Sequence, residues 1–283
     1  MAVGAGGRGG GVRRRISGKR RPSANEAAAA ALGGRALVAP AASLASVPAP
    51  LRTLVINLDR RADRWAGVQG RLASLQGAGK LRVERLVATD GCAAEAISDS
   101  VVGRQWTTDR NSRYDGRQGY RPGVELQLTP GERGCAMSHV RAWREVLADG
   151  GSGVPVLILE DDAVPSPLLA ARLGPAVKAA SGAGADVLYL GYINGAPWRG
   201  RVAPGLFEAE YLWTTVGYVL WPQGARRLLD ALPVDAPVDN FMAWQIASRR
   251  VVGLATVPEL VEQELEWDCG SDVPHSDDVV LSE

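Results

Sequence analysis

The chain has 283 residues, 46% hydrophobic and 22% charged, with a net charge of +1; it can bury a sizeable core and has no overall electrostatic pull toward nucleic acid. No run of about 18 apolar residues is present to cross a membrane. Two histidines, His139 and His275, and three widely spaced cysteines, Cys92, Cys135 and Cys269, exclude a His-rich metal site, a CxxC zinc pair and a visible disulfide framework, so any metal must be held mainly by carboxylates.

The average charge hides two different objects. Residues 1–50 carry eight Lys or Arg against one acid, Glu26, which leaves −6 on residues 51–283. This Gly/Arg/Ala/Pro-rich segment has no aromatic residue and reads as a disordered tail, because it cannot bury enough apolar surface to offset its ordering entropy. Its GAGGRG stretch fits a dinucleotide-binding pattern only literally, since no strand precedes it. The Arg-rich, acid-poor start suits an organellar transit peptide or a solvated arm and lacks the apolar core of a secretory signal, which leaves a cytoplasmic or an organellar location open.

Residues 51–283 read as one catalytic-sized α/β domain with a largely parallel sheet. LVINL (54–58) is a first strand, followed by a helix with Trp65, Val68, Leu72 and Leu75 on one face. VERLVA (83–88) is a second strand ending at Asp90 and Gly91. Residues 104–122, with five arginines and three aromatic residues, form a surface loop suited to closing over a ligand, or a plain insertion. Thr129, Pro130 and Glu132 then spell a capping box opening a helix that turns Ala136, Val140, Trp143 and Leu147 inward. VPVLIL (154–159), VLYLG (187–191) and YLWTTVGYVLW (211–221) supply further strands, with a helix over about 223–232, another from near Asp239, and VVGLATV after it.

The strand at 154–159 runs directly into Glu160, Asp161 and Asp162. Strand alternation sends Glu160 and Asp162 to one side and Asp161 to the other. Two carboxylates at the C-terminal end of a strand can share a divalent cation, and open α/β sheets bind ligands at that edge. Helix capping is the alternative, weakened because the next helix already has Ser166 as cap and Pro167 at its first position. A Walker B strand would need a GxxxxGK[ST] loop earlier in the chain, and none is present. A receiver domain would need a phosphoacceptor Asp at a later strand end, but VLYL ends in Gly191, and there is no lysine after Lys178.

INLDRRADRW (56–65), ATDG (88–91), GERGCAMSHVRAW (131–143), LILEDDA (157–163), TTVGYVLWPQGARRLL (214–229), PVDNFMAW (237–244) and the late SD (271–272) together resemble, in this order, glycosyltransferase family 25. That family includes bacterial lipooligosaccharide galactosyltransferases and animal procollagen galactosyltransferases. The resemblance implies a GT-A-like, Rossmann-type fold, a UDP-sugar donor that is usually UDP-galactose, a divalent cation such as manganese (magnesium being the alternative) and transfer with inversion. It does not separate a lipooligosaccharide, another glycan or a protein acceptor, nor an active enzyme from an inactive adhesion or assembly module of the same fold.

On this resemblance Asp162 is the expected direct metal ligand, with Glu160 and Asp161 contacting water, metal or ribose. Asn57, Arg60, Arg61 and Arg64 lie at a strand end and helix start, where backbone amides favour the donor diphosphate; the arginines could equally be solvated. Asp90, Ser138 and His139 match donor-site motifs, although a packed structural histidine serves His139 as well. Asp239 is the candidate base for the acceptor hydroxyl, or the cap of its helix. Gln263 and Asp272 match the family's C-terminal donor or second-metal positions. Deleting residues 1–48 is expected to leave the melting temperature and donor turnover unchanged, because no core residue is lost; a truncated chain that melts early would show that the tail packs on the domain.

Overall fold

A computed structural model describes residues 50–93, 97–109, 123–148 and 153–264. The tail at 1–49, most of the Arg-rich loop, and Cys269, Asp272 and His275 lie outside the described residues. The strands are β1 (Leu51–Asn57), β2 (Leu81–Val87), β3 (Gln105–Thr107), β4 (Glu125–Gln127), β5 (Val156–Glu160), β6 (Ala163–Pro165), β7 (Val187–Asn194), β8 (Gly200–Ala203), β9 (Leu206–Glu208), β10 (Leu212–Leu220), β11 (Gly253–Thr256) and β12 (Val261–Gln263). The helices described are α1 (Ala62–Gly77), α2 (Pro130–Ala148), α3 (Leu169–Gly182), α4 (Pro222–Asp230) and α5 (Val238–Ala247).

Eight strands form one sheet in the order β2-β1-β5-β10-β7-β11-β9-β8. β1 is parallel to β2 and β5, and β7 to β11. β10 lies antiparallel between β5 and β7, and β9 antiparallel between β11 and β8. Strand direction is therefore mostly shared, as expected, with β10 and β9 reversed. Two small pairings, β12 with β6 and β3 with β4, complete the described strands.

The central strands are buried on both faces, which is why they read as continuous aliphatic runs. Their alternation divides the core in two. Leu54, Ile56, Val156, Ile158, Tyr189 and Tyr218 pack with Trp143 of α2 and Phe241 of α5. Val55, Leu157, Leu159, Leu188 and Val219 pack on the other side with Val68 and Leu72 of α1 and Leu173 and Val177 of α3. Trp65 is only half-buried and carries the Arg85 guanidinium over its ring at 5.6 Å.

The capping box at α2 forms as expected: the Glu132 N–H donates to Thr129 Oγ1 at 3.1 Å and the Thr129 N–H to Glu132 Oε2 at 2.8 Å. The α3 start differs from the sequence expectation. Leu168, not Ser166, is the N-cap residue, and the helix begins at Leu169. Ser166, two residues earlier, still accepts the Leu168 N–H on its Oγ at 3.3 Å, and its own N–H donates to Leu260 O at 2.9 Å, which ties it to the segment leading into β12.

Two glycines on exposed and crowded helix faces should respond oppositely to alanine. A Cβ at Gly70 of α1 meets nothing within 4 Å, so Gly70→Ala should raise stability by about 0.5–1 kcal/mol through chain entropy. A Cβ at Gly134 of α2 would lie 2.5 Å from Gly91 N and 2.7 Å from Thr89 O, both backbone, so Gly134→Ala should cost about 1–3 kcal/mol. Chemical denaturation of the two variants measures both signs.

Candidate functional site

The chain leaves β1 for β2 on one side of the sheet and returns to β5 on the other, so the C-terminal ends of β1 and β5 flank a crevice where strand order reverses. Open α/β sheets bind ligands at such a point. Ile56 lies in register with Glu160, which places the acidic run at this crevice. The pleat then distributes the three carboxylates among different partners.

Asp161 goes to the α1 side. It is buried, accepts from Asn57 Nδ2 at 2.7 Å and pairs with Arg64 Nη1 at 3.2 Å. Asn57 also donates from Nδ2 to Arg61 O and accepts from Arg85 Nε at 2.8 Å. Arg71 of α1 donates to the backbone carbonyls of Asp161, at 2.6 Å, and Ala163, at 2.9 Å. Asn57 and Arg64, expected at the donor, thus hold the end of β5 against α1.

Glu160 goes to the α2 side. Its Oε1 accepts from Thr215 Oγ1 of β10 at 2.6 Å and meets His139 Nε2 at 3.2 Å. His139 Nδ1 lies 2.8 Å from the Tyr218 hydroxyl, which also accepts from Trp143 Nε1 at 3.0 Å. Trp143 can only donate, so the phenol O–H is free to donate to Nδ1, which leaves Nε2–H to donate to Glu160. Burial acts to raise the Glu160 carboxyl, but the bonds from His139 and Thr215 outweigh it and hold it below the usual glutamate range.

Asp162 sits in the turn between β5 and β6. Gln263, at the end of β12, donates from Nε2 to its Oδ2 at 3.0 Å, and Glu264 N–H donates to its backbone carbonyl at 2.9 Å. Its Oδ1 is buried with no hydrogen-bond partner among the described residues. Burial, then the charge of Glu160, push its carboxyl up to about 7. A buried acceptor left open beside other carboxylates fits a hard divalent cation, so Asp162 with Glu160 suits the metal that the sequence implies. Manganese and magnesium both suit such an oxygen set.

Asp239 lies in the first turn of α5. Its Oδ2 accepts from Thr214 N–H at 3.2 Å and its Oδ1 from Asn240 N–H at 2.7 Å. Thr214 has φ +67°, a left-handed conformation disfavoured for a β-branched residue, and the β10–β7 register shifts between Trp213 and Gly217. Asp239 therefore anchors a bulge that also presents Thr215 to Glu160.

The remaining expected residues are more dispersed. Arg60 pairs with Asp90 at 3.0 Å, and Asp90 also accepts from Cys92 N–H. Arg61 pairs with Asp63 within its own helical turn. Ser138 is buried, donating to Gly134 O and accepting from Thr89 N–H at 2.8 Å, which clasps the loop after β2 onto α2. Asp272 lies outside the described residues. Sequence reasoning missed Thr215, Arg71 and Cys135. Cys135 stands one helical turn before His139, a spacing visible in the sequence, and faces the same carboxylates; burial, then Glu160 and Asp239, raise its thiol well above the usual value.

A Rossmann-like α/β domain with a carboxylate cluster at its switch point is the class that fold and site define. The model of Glycosyltransferase family 25 (LPS biosynthesis protein) matches residues 51–191. A glycosyltransferase 25 family member of Drosophila pseudoobscura pseudoobscura is 33% identical over 227 residues, covering 73% of this chain and 34% of its own length. The inactive glycosyltransferase 25 family member 3 of Homo sapiens is 31% identical over 195 residues, and procollagen galactosyltransferase 1 of Danio rerio 30% over 196; each match covers 66% of this chain and 30% of the relative. The chain belongs to glycosyltransferase family 25, and it spans about a third of the length of these relatives.

Neutral substitutions at neighbouring acids should separate anchoring from cation holding. Burial raises the Asp161 carboxyl, but both of its oxygens accept, so Asp161→Asn would set an amide N–H against the Asn57 or Arg64 donor and should cost about 1–3 kcal/mol. Asp162→Asn removes one of three crowded charges and should leave the metal-free protein at least as stable as the parent. Melting both variants in chelator tests the contrast; equal destabilisation would make both carboxylates structural.

Proposed function

We propose that this domain transfers a sugar, galactose being the first candidate, from a UDP-sugar to an acceptor hydroxyl with inversion, using a divalent cation. The observation that carries the reading is the buried, unpartnered Asp162 Oδ1 at the β1/β5 switch point, beside Glu160. Manganese or magnesium bound there would neutralise charge growing on the departing diphosphate. Asp162 and Glu160 would hold it, and Gln263 orients the Asp162 carboxylate through Oδ2. His139 and Thr215 fix Glu160 by two bonds to one oxygen.

Asp239 is the carboxylate proposed to take the acceptor proton. Contacts from the Thr214 and Asn240 backbone N–H groups set its orientation. The acceptor class, whether lipooligosaccharide, another glycan or a protein hydroxyl, is set by loops that vary independently of the fold.

A second reading, an inactive module retained for adhesion or assembly, is favoured by one finding: a relative of similar identity is named inactive. Incubating purified protein with a panel of UDP-sugars and manganese, and following UDP release, separates the two. Activity should appear with one donor and vanish with chelator. Asp162→Asn should abolish both turnover and manganese-dependent UDP binding while the protein stays folded. Unchanged metal dependence of UDP binding in that variant would place the cation elsewhere, and no turnover with any donor would favour the inactive reading.

A further inference from the structure

Cys135 and His139 are four residues apart on α2, so one turn separates them and their side chains share a face. The Cys135 thiol, a ring nitrogen of His139 and a carboxylate oxygen of Glu160 all lie within 4.8 Å of one another. This trio differs in kind from the oxygen set around Asp162. Thiolate and imidazole select zinc-like cations, whereas manganese and magnesium prefer carboxylate, carbonyl and water. Sulfur, nitrogen and oxygen from two elements give three protein ligands, the number found in open tetrahedral zinc sites.

The distances suit such a site with small adjustment. His139 Nε2 and Glu160 Oε1 are 3.2 Å apart, against about 3.3 Å between two such ligands on a tetrahedral zinc ion. Closing the sulfur edge needs a shift of about 1 Å, given Zn–S near 2.3 Å. His139 also has the outer support typical of ligating imidazoles, its Nδ1 lying 2.8 Å from the Tyr218 hydroxyl, which Trp143 in turn holds.

We propose that Cys135, His139 and Glu160 form a binding site for a thiophilic divalent cation of the zinc class, and that filling it withdraws Glu160 from the hard-cation site. Sulfur–metal and nitrogen–metal bonds form: the thiol proton passes to solvent, and the neutral His139 ring changes tautomer, its proton moving by solvent exchange from Nε2 to Nδ1, where it donates to the Tyr218 hydroxyl oxygen. The binding claim stands on the trio alone; the inhibitory consequence rests on the transferase reading above.

The test uses the full, untagged chain with Cys92→Ala and Cys269→Ala, so that Cys135 is the only thiol. Cobalt or cadmium is titrated in excess magnesium, and the thiolate-to-metal charge-transfer absorption is followed, together with the intensified ligand-field bands of tetrahedral cobalt. One equivalent should saturate the signal, the folded protein should carry it, and Cys135→Ser should lose it. No charge-transfer absorption in the chain that retains Cys135 overturns the site, as does a signal that survives Cys135→Ser. Should Cys135→Ser fail to fold, the chain with Cys135 as its only thiol still decides. In a parallel assay one equivalent of zinc should abolish manganese-supported donor turnover. Charge transfer without any turnover in zinc-free enzyme would sink the transferase reading and leave the site standing; turnover unaffected by bound zinc would overturn the inhibitory consequence.

Discussion

Three adjacent negative charges at the end of a buried strand are the constraint around which this domain is organised. They cannot share one environment without strong mutual repulsion. The pleat of β5 separates the first two: Val156 and Ile158 face the α2 side of the sheet with Glu160, while Leu157 and Leu159 face the α1 side with Asp161. Asp161 is satisfied by Asn57 and Arg64, and Glu160 by His139 and Thr215. Asp162, in the turn, keeps an oxygen that no described residue bonds. The same covalent sequence thus docks α1, docks α2 and leaves one carboxylate oxygen open.

The reversed strand β10 makes the second half of this arrangement possible. Running antiparallel to β5, it starts where β5 ends, so its irregular N-terminal portion abuts the carboxylates. A regular strand there would continue the ladder. The bulge and the left-handed Thr214 interrupt it, and the Asp239 carboxylate compensates by accepting the Thr214 N–H. Strain of this kind persists only where surrounding contacts hold it, and it concentrates at functional sites. Asp239 therefore affects Glu160 indirectly, through the placement of Thr215.

Much of this was legible from local pattern. The aliphatic runs marked β1, β5, β7 and β10, the Thr129–Glu132 box fixed the start of α2, and strand alternation separated Glu160 from Asp161. What escaped depended on pairings between distant segments. The direction of β10 is not encoded in its own residues, and neither is the bond by which the Ser166 N–H reaches Leu260 O in a distant segment. Gln263 and Asp162 are 101 residues apart and meet because β12 pairs with β6; only the family resemblance pointed to Gln263. Thr215 read as an ordinary strand threonine, because its role arises from a bulge that sequence alone does not mark. The arginines of the 60–64 stretch suggested a common anion site, and their ion pairs, Arg60 with Asp90, Arg61 with Asp63 and Arg64 with Asp161, were not foreseen.

This division of labour changes what an intact acidic triplet means in family 25. Glu160 and Asp161 hold α2, β10 and α1 in place, so a chain that had lost catalysis would still need them to fold. Their presence is weak evidence of activity. Burial raises the carboxyls of both Asp161 and Asp162, but Asp162, pushed up to about 7 by burial and the charge of Glu160, differs in keeping one buried oxygen without a partner among the described residues. Gln263 satisfies one oxygen and leaves the other open. A polar group kept buried at a cost, next to a carboxylate already fixed in place, is what the proposed cation would account for and packing does not.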